Sequence, residues 1–247
     1  MSVEHRVLEA VGRAMGRFSM LRPRDRVAVG VSGGKDSLCL LHALVTHRRR
    51  APFPYELVAI TIEQGKFKTP IRALEANIRS LGVEWVLRED PATLRLVADG
   101  VGHGCDVCSR YRRSALYRAA NRLGCTVLAL GHTADDCAEA LLRNILFNGR
   151  IASLAPVAQS RKGTIRLVRP LVFLTEEVTA AYARSCGLFT VRCVCADKDG
   201  VRREIREFLS TLGTRHPGVA QSINAALFRQ TGGQQPPLLP QAPPPAL

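Results

Sequence analysis

Arg26-Val27-Ala28-Val29-Gly30-Val31-Ser32-Gly33-Gly34-Lys35-Asp36-Ser37 is the stretch on which the fold turns. Arg26 to Val31 is a short, apolar, β-branched run of the kind that forms a buried strand. It breaks at Ser-Gly-Gly, and Leu38 to His47 then reads as a helix. Outward from this unit the same alternation repeats. Strands are predicted at Leu57 to Ile62, Val83 to Leu87, Thr126 to Leu130 and Ile165 to Val168. Helices are predicted at Ile71 to Leu81, Ser109 to Leu123, Ala134 to Phe147 and Glu176 to Cys186. Short strands alternating with longer helices give an α/β fold, a Rossmann-like parallel sheet covered by helices on both faces.

An amphipathic helix carrying Val7, Leu8, Val11, Met15 and Phe18 precedes the first strand. Helices about Val201 to Leu212 and Val219 to Phe228 close the folded part. The expected division is an N-terminal helix (residues 1–23), a nucleotide-binding α/β domain (24–190), a Cys-containing helical extension (191–230) and a disordered tail (231–247). The tail carries no charge and six of the 14 prolines. No internal repeat is evident.

The Ser32 to Ser37 segment is built for phosphate. In a parallel sheet, ligands bind beyond the carboxyl ends of the strands. Glycines let backbone N–H groups approach phosphate oxygens, and the helix N-terminus adds free donors and a favourable dipole. Lys35 supplies a positive charge, and Ser32 and Ser37 supply hydroxyls. The spacing is neither that of a Walker loop nor Gly-x-Gly-x-x-Gly, which excludes a P-loop kinase and a Rossmann dehydrogenase.

Composition bounds the rest. The 247 residues carry 35 Lys plus Arg against 21 Asp plus Glu, a formal net charge of +14. Such an excess suits a polyanion, nucleic acid before anionic lipid. Apolar runs such as Leu38 to Val45 fall far short of the roughly 20 residues that span a bilayer. Met1 to Arg13 has no apolar signal segment, so the expectation is a cytoplasmic protein with no membrane association.

Eight cysteines without an export signal point to a reducing compartment rather than disulfides. Cys39, Cys125, Cys137 and Cys186 lie in apolar stretches and read as core residues. Cys105-Asp106-Val107-Cys108 and Cys193-Val194-Cys195 are close pairs in Gly-rich or charged surroundings. Four thiolates there suit tetrahedral zinc, three suit a [4Fe–4S] cluster with one open iron, and a redox dithiol is a third reading. Gly131-His132-Thr133-Ala134-Asp135-Asp136 follows the fourth strand and faces the same edge. Asp135 or Asp136 could hold Mg²⁺ on phosphates, or the segment could be a plain helix cap made by Thr133 or Asp135.

Val29 to Ser37 resembles the pyrophosphate loop of the adenylating ATP pyrophosphatases, a superfamily that includes GMP synthetase, tRNA lysidine synthetase and the tRNA thiolases. The further order of motifs is Cys-x-x-Cys before Ser109-Arg110-Tyr111-Arg112-Arg113, Gly131-His132-x-x-Asp135-Asp136, Arg169-Pro170-Leu171, a late Cys, and Arg215-x-Pro217-Gly218. That order is similar to the tRNA 2-thiocytidine synthetases of the TtcA type and their 2-thiouridine relatives, over about residues 5–228. Their late segment has two residues between its cysteines and this one has a single residue. Counting back from the helix near Arg202 places Cys195 at the ligand position, with Cys193 the alternative. Thr133 stands where the family has a second His, so no role for that His carries over. Residues 1–38 lack the paired cysteines with which the thiouridine relatives often begin, which favours cytidine.

The resemblance implies an ATP-dependent, AMP- and pyrophosphate-forming tRNA sulfurtransferase. ATP would be held by Ser32, Gly33, Gly34, Lys35, Asp36, Ser37, Gly131, His132 and Asp136, with Mg²⁺ near Asp36 or Asp136. A [4Fe–4S] cluster would be held by Cys105, Cys108 and Cys195, and Asp36 joins these three as a catalytic candidate. The base C2 oxygen would be adenylated and sulfur on the open iron would replace it. The tRNA would enter over Arg110, Arg112, Arg113, Arg202 and Arg203. A cysteine desulfurase or sulfide would supply sulfur, and a homodimer is left open. The competing readings are a 2-thiouridine synthetase, a lysidine-synthetase-like ligase with structural zinc, and a zinc-stapled RNA-binding module.

Overall fold

A computed structural model of the chain describes residues 1–65, 71–98, 105–160, 163–191 and 200–229. The elements run α1 (Val3–Arg17), β1 (Arg26–Gly30), α2 (Lys35–Arg48), β2 (Glu56–Glu63), a 3₁₀ turn (Ile71–Leu74) continuous with α3 (Glu75–Ser80), β3 (Glu84–Glu89), α4 (Pro91–Ala98) and α5 (Cys105–Arg122). They continue with β4 (Val127–Ala129), α6 (Ala134–Asn148), β5 (Val157–Gln159), β6 (Arg166–Val168), α7 (Glu176–Ser185), α8 (Val201–Arg215) and α9 (Val219–Arg229).

The sheet order is β3-β2-β1-β4-β6-β5. β1 pairs in parallel with β2 on one side and β4 on the other, so the chain reverses its winding at β1. That switch point is where an α/β sheet opens a crevice at its carboxyl edge. The predicted strands and helices are present, with two differences. β5 pairs antiparallel with β6, so the sheet is not wholly parallel. The connection from Gln159 to Arg166 is too short for a crossover helix, and only an antiparallel pair can close over it. The second addition is α4, which sequence reading left unassigned. It begins with Pro91, whose fixed φ and missing N–H suit the first helical position.

The burial pattern explains the layers. β1 and β2 are continuously buried apart from their first residues and the end of β2, as expected of strands covered on both faces. Val27 and Val29 point to the layer of α1, α2, α3 and α7, and Ala28 to the layer of α5 with Leu116 and Ala120. α2 is buried nearly all round, from Ser37 to Val45, because it lies between the sheet and the α1–α7 pair. A helix apolar on every side reads poorly as amphipathic and well as an inner helix. α8 and α9 pack on α6, and the Phe18, Phe173 and Phe228 rings cluster where α9 meets α1. A buried Arg166–Asp25 pair, with Thr126 Oγ1 donating to Asp25 at 2.7 Å, ties β6 to the loop before β1. No helix among the described residues is long and apolar enough to cross a membrane. The tail expected at residues 231–247 lies outside the described residues.

Candidate active site at the carboxyl edge of the sheet

The loop leaves β1 at Gly30 and enters α2 at Lys35, with Gly34 as N-cap. No side chain caps α2, so the first-turn N–H groups stay available for an anion. The loop is held open from within. Ser37 Oγ accepts from Ser32 N at 3.1 Å, lies 3.2 Å from Ser32 Oγ, and donates to Gly34 O at 2.8 Å. Gly33 has φ +81°, and a Cβ there would press on Val191, Ile71 and Leu74 at 3.2–3.3 Å. Gly131, at the exit of β4, lies against the same turn, where a Cβ would sit 2.9 Å from Asp36 O and 3.1 Å from Ser37 N. The Ser-Gly-Gly and Gly-His motifs thus meet backbone to backbone.

A network of charges spreads from the loop. Lys35 Nζ bonds both Asp36 oxygens, at 3.0 and 2.8 Å, and Glu176 Oε2 at 3.2 Å. Thr179 Oγ1 donates to Asp36. Arg206 reaches Glu139 at 2.7 Å, Glu176 at 3.3 Å and Asp136 at 3.4 Å, while Arg202 reaches Glu139 at 2.6 Å and Asp136 at 3.3 Å. Asp135 accepts from Glu176 N at 2.7 Å. Among the described residues this network joins five carboxylates, Asp36, Asp135, Asp136, Glu139 and Glu176, to three cations, Lys35, Arg202 and Arg206. Burial pushes the Asp36 and Asp135 carboxyls above their usual range. Burial also opposes the Lys35 charge, but Asp36 and Glu176 outweigh it and its pKa is raised.

Asp136 has a structural task as well as its predicted one. Thr133 is the N-cap of α6 and Asp136 completes a capping box, accepting from Thr133 N at 2.9 Å. The capping interpretation of this segment holds for Thr133. Arg202, expected on the RNA-facing surface, is paired with Glu139 and Asp136 while its side chain stays 45% exposed. Arg110 and Arg113 are exposed on α5. His132 is half-buried and accepts at Nδ1 from Arg169 Nε at 3.3 Å. Burial, then the charges of Arg169, Arg113, Arg202 and Arg112, hold its pKa well below the ordinary histidine value. It is therefore neutral, with its proton on Nε2.

Cys108 lies on α5, where its Sγ accepts from Gln64 Nε2 at 3.4 Å. Gln64 is buried just past β2, so this thiol shares the sheet edge with the loop. Cys105 begins α5, but its side chain lies outside the described residues, as do Cys193 and Cys195 entirely. Cys39, Cys125 and Cys137 are buried as expected. Cys186, expected in the core, is only half-buried at the end of α7, where its thiol lies 3.9 Å from the neighbouring Ser185 hydroxyl and packs against the edge of the apolar core.

Sequence reading did not single out Glu139, Glu176, Thr179, Arg206 or Gln64. Glu176 and Glu177 carried a usable signal, two acids at a helix start just after Arg-Pro-Leu. Glu139, Thr179 and Arg206 lie inside ordinary helix patterns, and Gln64 lies in the turn just past β2.

A PP-loop domain model matches residues 4–210. The tRNA-cytidine(32) 2-sulfurtransferase of Anaeromyxobacter dehalogenans (strain 2CP-C) is 40% identical over 91% of this chain and 79% of its own length. The chain belongs to the PP-loop tRNA sulfurtransferase family. Another relative with the same name, from Geobacter sulfurreducens, is 37% identical over 90% of this chain and 88% of its own. Within the family fold, the U34-tRNA thiolase NcsA from Methanococcus maripaludis, solved with its [4Fe–4S] cluster, superposes with a TM-score of 0.75 at 25% identity. That match covers 92% of this chain and 79% of the thiolase. The α/β architecture and the phosphate loop are accordingly those of the family.

Proposed function

We propose that this protein is an ATP-dependent sulfurtransferase that replaces the C2 oxygen of a tRNA pyrimidine, cytidine rather than uridine, with sulfur. The observation that carries the reading is the sharing of one sheet edge by the Ser32–Ser37 phosphate loop and the Cys108 thiol. The relatives named for cytidine 32 support cytidine as the base.

ATP would lie with its β and γ phosphates on the loop N–H groups and Lys35. Asp36 and Asp135, half-buried carboxylates beside Lys35 and Glu176, would hold Mg²⁺ on those phosphates. The base C2 oxygen attacks the α phosphorus, the α–β anhydride breaks and pyrophosphate leaves. The loop dipoles and Lys35 stabilise the charge that develops on the departing phosphate. Hydrosulfide then adds at C2, AMP leaves with the C–O bond electrons, and the sulfur loses its proton. A base in folded tRNA must be unstacked first, at roughly a few kcal/mol.

Cys108, the one candidate ligand whose side chain is described, suits an iron–sulfur centre, being a free, half-exposed thiol that receives a hydrogen bond at this edge. Cys105, Cys108 and Cys195 would hold it, and three thiolates leave one iron able to bind sulfur. Gln64 orients Cys108.

The test is nucleoside mass spectrometry of tRNA from a deletion strain and its complemented control. Selective loss of 2-thiocytidine is expected. Loss of a 2-thiouridine instead would move the substrate to uridine, and persistence of every thionucleoside would sink the reading.

A further inference from the structure

Two arginines lie three residues apart around β6, and their environments differ. Arg166 is 8% exposed and is neutralised by Asp25. Arg169 is 4% exposed, and among the described residues no carboxylate bonds it. Its Nε donates to His132 Nδ1 and its Nη1 to the carbonyl of Ala155. Both acceptors are neutral. Of the neighbouring groups that act on it, Arg113 on α5 comes first and opposes its charge, and the one carboxylate among them, Asp136, comes last and makes no hydrogen bond to it.

A buried cation without a counter-charge costs several kcal/mol. A protein keeps one where a ligand brings the missing negative charge. Arg169 lies where such a ligand would arrive. It follows the carboxyl end of β6, beside the β4 exit, and Gly131 at that exit touches the Asp36 backbone of the phosphate loop.

We infer that Arg169 is an anion receptor that binds a phosphate oxygen of a mononucleotide, the AMP moiety, at the exits of β4 and β6. The inference rests on the ATP-dependent reading above and adds a residue to it. Its burial, with 4% of the residue exposed, favours a compact terminal phosphate over the phosphodiester backbone of an RNA, whose phosphates are flanked on both sides by sugars. The chemistry suits the second half-reaction. The phosphate carries one negative charge in the adenylate and gains a second as AMP leaves, so a fixed guanidinium binds the departing group more strongly than the intermediate.

Isothermal titration of the full-length, anaerobically purified protein with AMP, with Mg-ATP and with tRNA tests this, using wild type, Arg169→Gln and Arg169→Lys. Thermal melts of the ligand-free proteins accompany it. AMP affinity should fall at least about tenfold in Arg169→Gln, with Arg169→Lys in between. Affinity for tRNA should stay within about twofold. The ligand-free melting temperature of Arg169→Gln should be unchanged or higher, since an uncompensated charge has been removed. A merely structural arginine gives the reverse, a lower melting temperature with AMP affinity intact, and that result overturns the inference. So does a loss confined to tRNA, which would place the anion on RNA. If Arg169→Gln fails to fold, unchanged AMP affinity in Arg169→Lys overturns it. Wild type that binds neither ATP nor AMP would instead refute the ATP-dependent reading itself.

Discussion

Lys35 Nζ lies 3.2 Å from the carboxylate of Glu176, a residue 141 positions further along the chain. With Asp36 at 2.8 Å, the loop's lysine is held between two acids. Phosphate must draw it away from them. Glu176→Gln should therefore bind inorganic pyrophosphate about three- to tenfold more tightly without Mg²⁺, with a smaller gain on adding Mg²⁺. Calorimetry with and without Mg²⁺ measures both. Tighter Mg²⁺ dependence in the variant would show that Glu176 is not the competitor.

Lys35→Ala should keep its fold, since the side chain is a third exposed, and lose at least about tenfold in ATP affinity. Unchanged affinity would remove Lys35 from the phosphate site.

Gly131 has no room for a methyl group. In Gly131→Ala the new carbon would meet Asp36 O at 2.9 Å and Ser37 N at 3.1 Å, both backbone atoms. The first turn of α2 must shift, at about 1–3 kcal/mol of stability. Urea denaturation should show that loss, and Mg-ATP binding should weaken with it. A variant with wild-type stability would mean the turn yields freely.

Asp25 is a structural charge. It is 6% exposed and bonded by Arg166, by Thr126 Oγ1 at 2.7 Å and by Arg22 N at 2.6 Å. Asp25→Ala leaves a buried guanidinium unpaired and should cost about 3–5 kcal/mol. The fraction that remains folded should bind ATP normally, because Asp25 lies at the amino end of the strands and the phosphate loop at the other. Denaturant titration together with ligand binding checks both halves.

His132 links stability to pH. Its folded pKa is held well below the ordinary value, first by burial and then by Arg169. Below about pH 6.5 the unfolded chain therefore binds a proton that the folded chain refuses. Stability is lost as pH falls through that value, by at most about 1.4 kcal/mol per pH unit. The raised carboxyls of Asp36 and Asp135 act in the opposite sense, so the comparison must be with His132→Asn, which keeps an acceptor for Arg169. Wild type should lose more melting temperature than His132→Asn between pH 7 and 5. Parallel curves would show that His132 protonates freely in the folded protein.

The alternation of strand and helix, the buried strand ending in Ser-Gly-Gly, and the Gly-His segment at the next strand exit were all readable along the chain. So was the Thr133-x-x-Asp136 spacing of a capping box. These features are local. They depend on backbone conformation and on side chains within one turn of each other, and a short window of residues contains their whole cause. The edge strand β5 was not readable, because two half-buried residues and an exposed one carry too weak a pattern. Nor was the fate of the charges. Arg202 and Arg206 are equivalent on paper to the arginines of α5, yet they meet Glu139 and Asp136 from 63 to 70 positions away. Arg166 and Arg169 flank the two ends of β6 and differ because Asp25 lies near one and neutral acceptors bond the other. Composition and motif determined the strand, glycine turn and helix start that make the head of α2 suited to phosphate. Which charges are neutralised within the protein, and which wait for a ligand, was decided by packing alone. An ionic contact forms between groups the fold brings within a few ångströms, whatever their separation in sequence.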